Sequence, residues 1–434
     1  MTQSDPRAII EQAPMSRFQW TIVWIMVALN ALDGFDVLSI SFAAPGVARE
    51  WGVDRASLGV VLSMELIGMS LGSITLGGVA DRLGRRRTVL GCLPVMAIGM
   101  IGASLAGSVV ALSVWRVVTG IGIGGMLAVT NAAVAEAANA KRRSLCVVLM
   151  ATGYPIGAVI GGAISAELLK SFDWPIVFQF GALMTLCMIP IVWAFAPESI
   201  AFEMQRGDAG RLARINATLR RMGHDAVAAL PAPAIRPRRA PLAELFTPDY
   251  TRRTILMTIA YFAHITTFYY LLKWIPKIVV DMGFAPSTAA GVLVWANLGG
   301  AAGSLLLGFL STRISVRLLT MGVMAVSVAM VVLFGRGQAD LAGLSLISAA
   351  TGFFTNAGMV GLYALLARYF PTDLRATATG FAIGVGRGGS ALAPALAGVL
   401  FVSGFGLWGT SAVMALGSLV ALGALALLPR MRDA

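Results

Sequence analysis

Apolar residues in this chain fall in long runs broken by short polar stretches. Twelve runs reach the ~20 residues a helix needs to cross a hydrocarbon core of ~30 Å. They cover residues 19–44, 57–80, 88–107, 109–136, 144–169, 175–196, 253–279, 288–311, 316–335, 341–369, 376–401 and 405–429. Several are longer than a straight crossing requires, which allows for tilt or overhang. The pattern predicts an all-α membrane protein of twelve transmembrane helices. Its expected parts are an N-terminal segment 1–18, a six-helix half 19–196, a polar linker 197–252, a second six-helix half 253–429 and a C-terminal segment 430–434.

The linker is the one long polar interruption. Within it, Leu212, Ile215, Leu219 and Met222 share a stripe with arginines elsewhere, which predicts an amphipathic helix over 211–222 lying on the membrane surface. A proline-rich piece from Pro231 to Pro241 is expected to be extended.

Charge then orients the chain. Counting loops alternately, 25 of the 33 lysines and arginines lie on the side that carries both termini and the linker. The opposite side holds only Arg49, Arg55, Lys170, Lys277 and Arg336, and three basic residues fall inside runs: Arg116, Lys273 and Arg387. The positive-inside rule therefore predicts cytoplasmic termini.

Composition narrows the class further. At 57% hydrophobic and 12% charged residues, this is an integral membrane protein, and its net charge of +12 is a topology signal, with no clustering that would suit a nucleic acid. The polar first sixteen residues carry no signal peptide, and the apolar run behind them is too long for one. Cys92, Cys146 and Cys187 all fall in runs and offer neither a disulfide framework nor metal spacing, and the two histidines, His224 and His264, add no metal site. No phosphate-cradling GxxxxGK[ST] loop occurs, so ATP does not power any transport from this chain, and no cofactor is expected.

Chemistry inside the runs is sparse and therefore informative. Asp33 and Asp36 stand three apart on one face of the first run, with Gly34 between them. A charge facing lipid there would cost roughly 2.5 to 3.5 kcal/mol, so both are expected to face protein or a wet cavity, either salt-bridged or as protonatable groups on a path. Gly34 would let a helix or a ligand approach the backbone closely. Asp36, Glu65 and Arg116 lie at similar depths in runs 1, 2 and 4, roughly 10 to 13 Å below one surface at ~1.5 Å per residue. Two acids and an arginine at one level can exchange a proton against an ion pair, or Glu65 is simply the static partner of Arg116. Gly153, Gly157 and Gly161 in run 5, and Gly384, Gly388 and Gly389 in run 11, give small-residue faces for close helix contacts.

An internal repeat links the halves. Gly77-Gly-Val-Ala-Asp81-Arg82-Leu-Gly84-Arg85-Arg86 follows run 2, and a related Gly308-to-Arg317 stretch follows run 8. Two parallel copies of a six-helix unit are what a transporter with a pathway between its halves requires.

Gly77, Asp81, Arg82, Gly84, Arg85 and Arg86 match the GxxxDRxGRR signature of the major facilitator superfamily, and Arg116-Val-Val-Thr-Gly120-Ile-Gly122-Ile-Gly124 resembles its RxxxGxGxG element. Within that superfamily, Asp33-Gly34-Phe35-Asp36 looks like the DGxD element of the aromatic acid:H+ symporter family, and Gly384-Val-Gly386-Arg387 followed by Pro394 is similar to that family's eleventh segment. The resemblance implies the major facilitator fold, a latch at the 2-3 loop that pairs helix ends in one gating state, and import of an aromatic monocarboxylate with protons across a bacterial inner membrane by a monomer. Thr312 replaces the acid in the second copy of the loop, so any latch is one-sided.

Given an anionic substrate, Arg387 offers a planar fork that suits a carboxylate. Lys273 either binds substrate or snorkels outward, and it departs from the neutral residue usual in the family. His264, Phe268, Tyr269, Tyr270 and Trp274 on run 7, with Tyr154, Trp295 and Tyr363, are candidates to wall a flat ring. The alternatives within reach of the sequence are an H+ symporter for aliphatic acids, a more distant drug antiporter, or a sensor that moves nothing.

Overall fold

A computed structural model describes residues 5–206, 210–231, 242–338 and 340–429; within its helices the side chains of residues 77, 78, 81, 128, 372, 373 and 376 are not described. Its helices are, in order, α1 (Pro6–Gln12), α2 (Arg17–Trp51), α3 (Arg55–Leu83), α4 (Arg85–Ser104), α5 (Val109–Ala137), α6 (Arg143–Leu168), α7 (Pro175–Phe195), α8 (Ile200–Glu203), α9 (Arg211–Arg221), α10 (Thr251–Asp281), α11 (Pro286–Leu310), α12 (Val316–Gly335), α13 (Leu341–Tyr369), α14 (Thr372–Val402) and α15 (Gly406–Leu427). Twelve of these, α2 to α7 and α10 to α15, are long and apolar enough to cross a membrane.

Polar side chains set where the helices start. Ser16 caps α2, accepting from Gln19 N while the Gln19 side chain reaches back to Ser16 N, a reciprocal pair that satisfies two otherwise orphaned donors. Asp54 caps α3 by accepting from the Ser57 N–H and hydroxyl, which holds its carboxyl below the usual range. Gly84, at φ +104°, makes the sharp turn from α3 into α4, where a side chain would collide with Glu198.

Glycines then bring helices together in pairs. A β-carbon at Gly34 would run into the Tyr154 carbonyl, and one at Gly157 into the Ala31 carbonyl, so α2 and α6 cross backbone to backbone. The approach that Gly34 was expected to permit is thus made by a helix. Gly153 and Gly161 continue that contact against Val27 and Phe35. Of the three α14 glycines expected to do the same, Gly389 packs in this way, against the Phe262 carbonyl, whereas a β-carbon at Gly384 would meet open space and one at Gly388 only the edge of the Phe262 ring. Gly157→Val is expected to lower the apparent melting temperature in detergent by ~1–3 °C, since overpacking costs roughly 1–3 kcal/mol. Gly423→Val, at a position with nothing within 4 Å, should leave it unchanged.

The chain outside the twelve long helices departs from the expected membrane-surface helix. Helix α9 forms over nearly the predicted residues, but Ile215 and Leu219 are fully buried and Met222 nearly so, in a cluster with Ile10, Ile22, Val192 and Ile200. Its apolar stripe therefore meets protein instead of lipid. Arg7 donates to the Ala201 carbonyl at 3.2 Å, Glu11 pairs with Arg143 at 2.8 Å, and Arg221 stacks on Phe18 at 4.3 Å. Most of the proline-rich piece and the predicted C-terminal segment lie outside the described residues.

Exposure along the helices reveals the conformational state. On α2 the exposed positions are Arg17, Thr21, Trp24 and Ala28 until its far end, and from Leu32 to Pro45 every residue is buried. Helix α10 repeats this, exposed at Arg252, Ile255 and Ile259 and buried from Tyr270 to Pro276. The halves meet at the end of the molecule away from the termini: Arg55 pairs with Asp281 at 2.9 Å, Ser63 Oγ accepts from Ala395 N at 3.2 Å, and β-carbons at Gly59 and Gly398 would strike Pro394 and Arg55 carbonyls. In this state the halves are thus joined on the far side.

Candidate functional site

The seal ends on a cluster of ionisable side chains, and the glycines build it. Gly120 and Gly124 of α5 press on the carbonyls of Glu65 and Met69, and Gly68 and Gly72 of α3 press on those of Val117 and Ile121. This interlock sets Glu65 beside Arg116, and the two fully buried side chains form an ion pair. Arg116 also donates to the Asp36 backbone carbonyl at 2.9 Å and to the Met100 sulfur at 3.2 Å, with Phe178 5.2 Å from its guanidinium carbon. The common depth read from the sequence is realised.

Asp33 and Asp36 are both wholly buried, and among the described residues no oxygen of either carboxyl has a hydrogen-bond partner. Neither is locked to a cation in a fixed bridge, although Arg116 acts electrostatically on Asp36. A buried carboxyl without a donor is costly as an anion and tolerable as an acid.

Lys273 belongs to the same cluster and does not take the snorkelling course open to it from the sequence. It is fully buried rather than snorkelling, and its Nζ donates to the Val37 carbonyl and pairs with Glu65 at 3.2 Å. Since α10 belongs to the second half and α2 and α3 to the first, this pair spans the two halves inside the membrane.

Arg387 differs from the other two intramembrane cations. It is half-buried and, among the described residues, makes no ion pair or side-chain hydrogen bond. It acts electrostatically on Tyr261, Tyr269 and Tyr363. Tyr261 and Tyr363 share a hydroxyl hydrogen bond of 3.0 Å with rings 5.7 Å apart, and Tyr269 packs edge-on against Phe268. Tyr154 interacts electrostatically with Tyr269, Asp33 and Glu65. Tyrosines therefore neighbour both the arginine and the aspartates, rigid aromatic surface suited to a flat ring with polar edges.

Other expected ring contacts are packing residues. His264 bonds Ser418 at 3.0 Å and the Thr355 carbonyl at 2.8 Å, Tyr270 bonds Ser411 at 2.7 Å, and Trp274 donates to the Pro394 carbonyl at 3.1 Å; all three are buried among helices. Trp295 is 52% exposed on a stripe with Leu298, Leu305 and Phe309, the outer surface of α11. Tyr261 was missed by sequence reasoning, though its spacing to Ile265 and Tyr269 at i, i+4 and i+8 puts it on the face of Tyr269.

At the 2-3 loop, Arg85 pairs with Glu136 at 3.1 Å, and Arg86 donates to the Trp193 carbonyl. Glu198, unremarked in the sequence, accepts from the backbone N–H groups of Arg85 and Arg86 and so caps α4 from across the loop; burial pushes its carboxyl above the usual range. These contacts stay within the first half and the start of the linker, and Arg82 is exposed. The side chains of Gly77 and Asp81 lie outside the described residues. Among the described residues no cluster of His, Cys, Asp and Glu could hold a metal.

Known proteins bear on this arrangement. A family model, the Major Facilitator Superfamily, matches residues 24–348 and 257–434. The gallate transporter of Pseudomonas putida is 29% identical over 406 residues, 93% of this chain and 90% of its own. The 3-(3-hydroxy-phenyl)propionate transporter of Escherichia coli is 31% identical over 408 residues, 94% of this chain and 93% of its own. Among solved structures, the xylose transporter XylE from E. coli in a partially occluded inward open conformation matches with a TM-score of 0.74 at 16% identity, over 96% of this chain and 100% of that one. The chain belongs to the Major Facilitator Superfamily and, within it, to the family of these aromatic-acid transporters.

Proposed function

We propose that this protein is a proton-coupled symporter that imports an aromatic monocarboxylate, of the benzoate or hydroxybenzoate kind, across the inner membrane of a bacterium. The observation that carries the reading is an intramembrane arginine, Arg387, that has no ion pair among the described residues and shares tyrosine neighbours with two buried carboxyls that have no hydrogen-bond partner there. The relatives' names, a gallate transporter, a 4-hydroxybenzoate transporter and a benzoate transport protein among them, supply the ring. Charge asymmetry among the loops supports cytoplasmic termini, and with the seal on the far side an inward-open state. The protein works as a monomer, since the pathway lies within one chain.

In the proposed cycle, the outward-open site takes protons on Asp33 and Asp36 while Arg387 receives the carboxylate. Neutralised charges permit closure, the halves rock, and the proton and the acid leave to the inside. The 2-3 loop residues Gly77, Asp81, Arg82, Gly84, Arg85 and Arg86 pair the inner helix ends when the inner side is shut.

Uptake into proteoliposomes with an acidic exterior tests this, using benzoate, 4-hydroxybenzoate, gentisate and muconate, with and without an uncoupler. Accumulation of the ring acids that the uncoupler abolishes is expected. Preference for the open-chain muconate, or accumulation unaffected by the uncoupler, would overturn it.

A further inference from the structure

The pair between Lys273 and Glu65 is unusual in joining the two halves through buried charges, and neither the 2-3 loop nor the tyrosines account for it. Resting on the symport reading, we propose that Lys273 is the residue that ties proton release to closure of the far mouth: a tethered cation that enters the first half's acid cluster as the mouth shuts and takes the place of one proton.

The first half contributes three carboxyls, Asp33, Asp36 and Glu65, against one cation, Arg116. In the state seen here, Lys273 adds a second cation from α10. Sealed in a low-dielectric interior, such a cluster is tolerable only near neutrality, because an uncompensated buried charge is costly. With Lys273 inserted, neutrality needs one proton on the aspartates. When the far mouth opens, α10 moves from α2 and α3, Lys273 departs, and neutrality needs two.

Closing the mouth therefore expels one proton. The ammonium keeps its three hydrogens throughout, and the proton lost from an aspartate carboxyl leaves to water on the terminal side. The other titratable groups facing the cluster are Cys92 on α4, Tyr154 on α6, Tyr269 on α10 and, beyond the tyrosines, Arg387 on α14. Thiols, phenols and guanidinium ordinarily hold their protons between pH 5 and 7, so the carboxyls carry the response there.

The prediction is that acid favours the far mouth open and alkali favours it shut. Spin labels on Ser171→Cys and Arg336→Cys, exposed positions in far-side loops of opposite halves, report the opening once Cys92, Cys146 and Cys187 are replaced. In nanodiscs without substrate, the open-to-shut ratio of the otherwise native chain should change by up to about tenfold per pH unit, the slope of one linked proton. In Lys273→Met it should stay within about twofold from pH 5 to 7, and Lys273→Arg should restore the slope. If Lys273→Met does not fold, Lys273→Gln is read in its place. Retention of the native slope without the cation overturns the proposal. The measurement contains no substrate, so it stands apart from the proposed function, which fails if no ring acid accumulates in the native protein.

Discussion

Asp36→Asn is expected to abolish uphill uptake while leaving downhill exchange of the same acid intact. The side chain is fully buried and neither carboxyl oxygen has a partner among the described residues, so an amide of the same shape replaces it without breaking a bond. What it removes is the ability to carry a proton. One proton moved with one monoanion is electroneutral and supports a tenfold accumulation for each unit of pH difference, about 1.4 kcal/mol. A second proton would add ~2.3 kcal/mol per 100 mV of membrane potential. The variant should thus fall to an accumulation ratio near one, a loss of about tenfold or more, while counterflow between equal pH values persists. Asp33→Asn is expected to behave in the same way. Full gradient-driven uptake by either variant would remove that aspartate from the proton path.

The second large effect belongs to Arg387. Replacing it with glutamine takes away a charge-assisted fork worth roughly 1.5–3 kcal/mol to a bound carboxylate, which corresponds to an affinity about tenfold to a hundredfold weaker. Because Arg387 holds no ion pair within the described structure, its loss strands no buried partner, and thermal stability should change little. Direct binding of 4-hydroxybenzoate by calorimetry separates the two quantities. Arg387→Lys, which keeps charge without the planar fork, should recover part of the affinity. Unchanged binding in Arg387→Gln would place the carboxylate elsewhere.

Much of the architecture was legible in the sequence because membrane solvent leaves few choices. Twelve apolar runs return as twelve long helices, and the two-half division falls where the polar linker interrupts them. The cluster of Asp36, Glu65 and Arg116 was legible as well, because helix rise converts residue count directly into depth. What depth does not give is azimuth. Lys273 sits where a snorkelling chain would be expected, and only the crossing of α10 over α2 and α3 turns it inward to Glu65. His264, Tyr270 and Trp274 share a helix with Tyr269, but are tied by hydrogen bonds to α13, α15 and α14. The stripe of α9 is identical for a helix on lipid and one on protein, and only the presence of α1 and the inner ends of α2 and α7 decides between them.

The far-side seal has a consequence for how it breaks. Where Gly59 meets the Pro394 carbonyl and Gly398 meets that of Arg55, the surfaces in contact are bare main chain, without interlocking branches. Such a seam can unzip without any side chain having to change its rotamer, so the work of parting falls chiefly on the few polar stitches beside it. A small rigid molecule wedged from outside between those smooth strips would jam the cycle without ever entering the solute pocket.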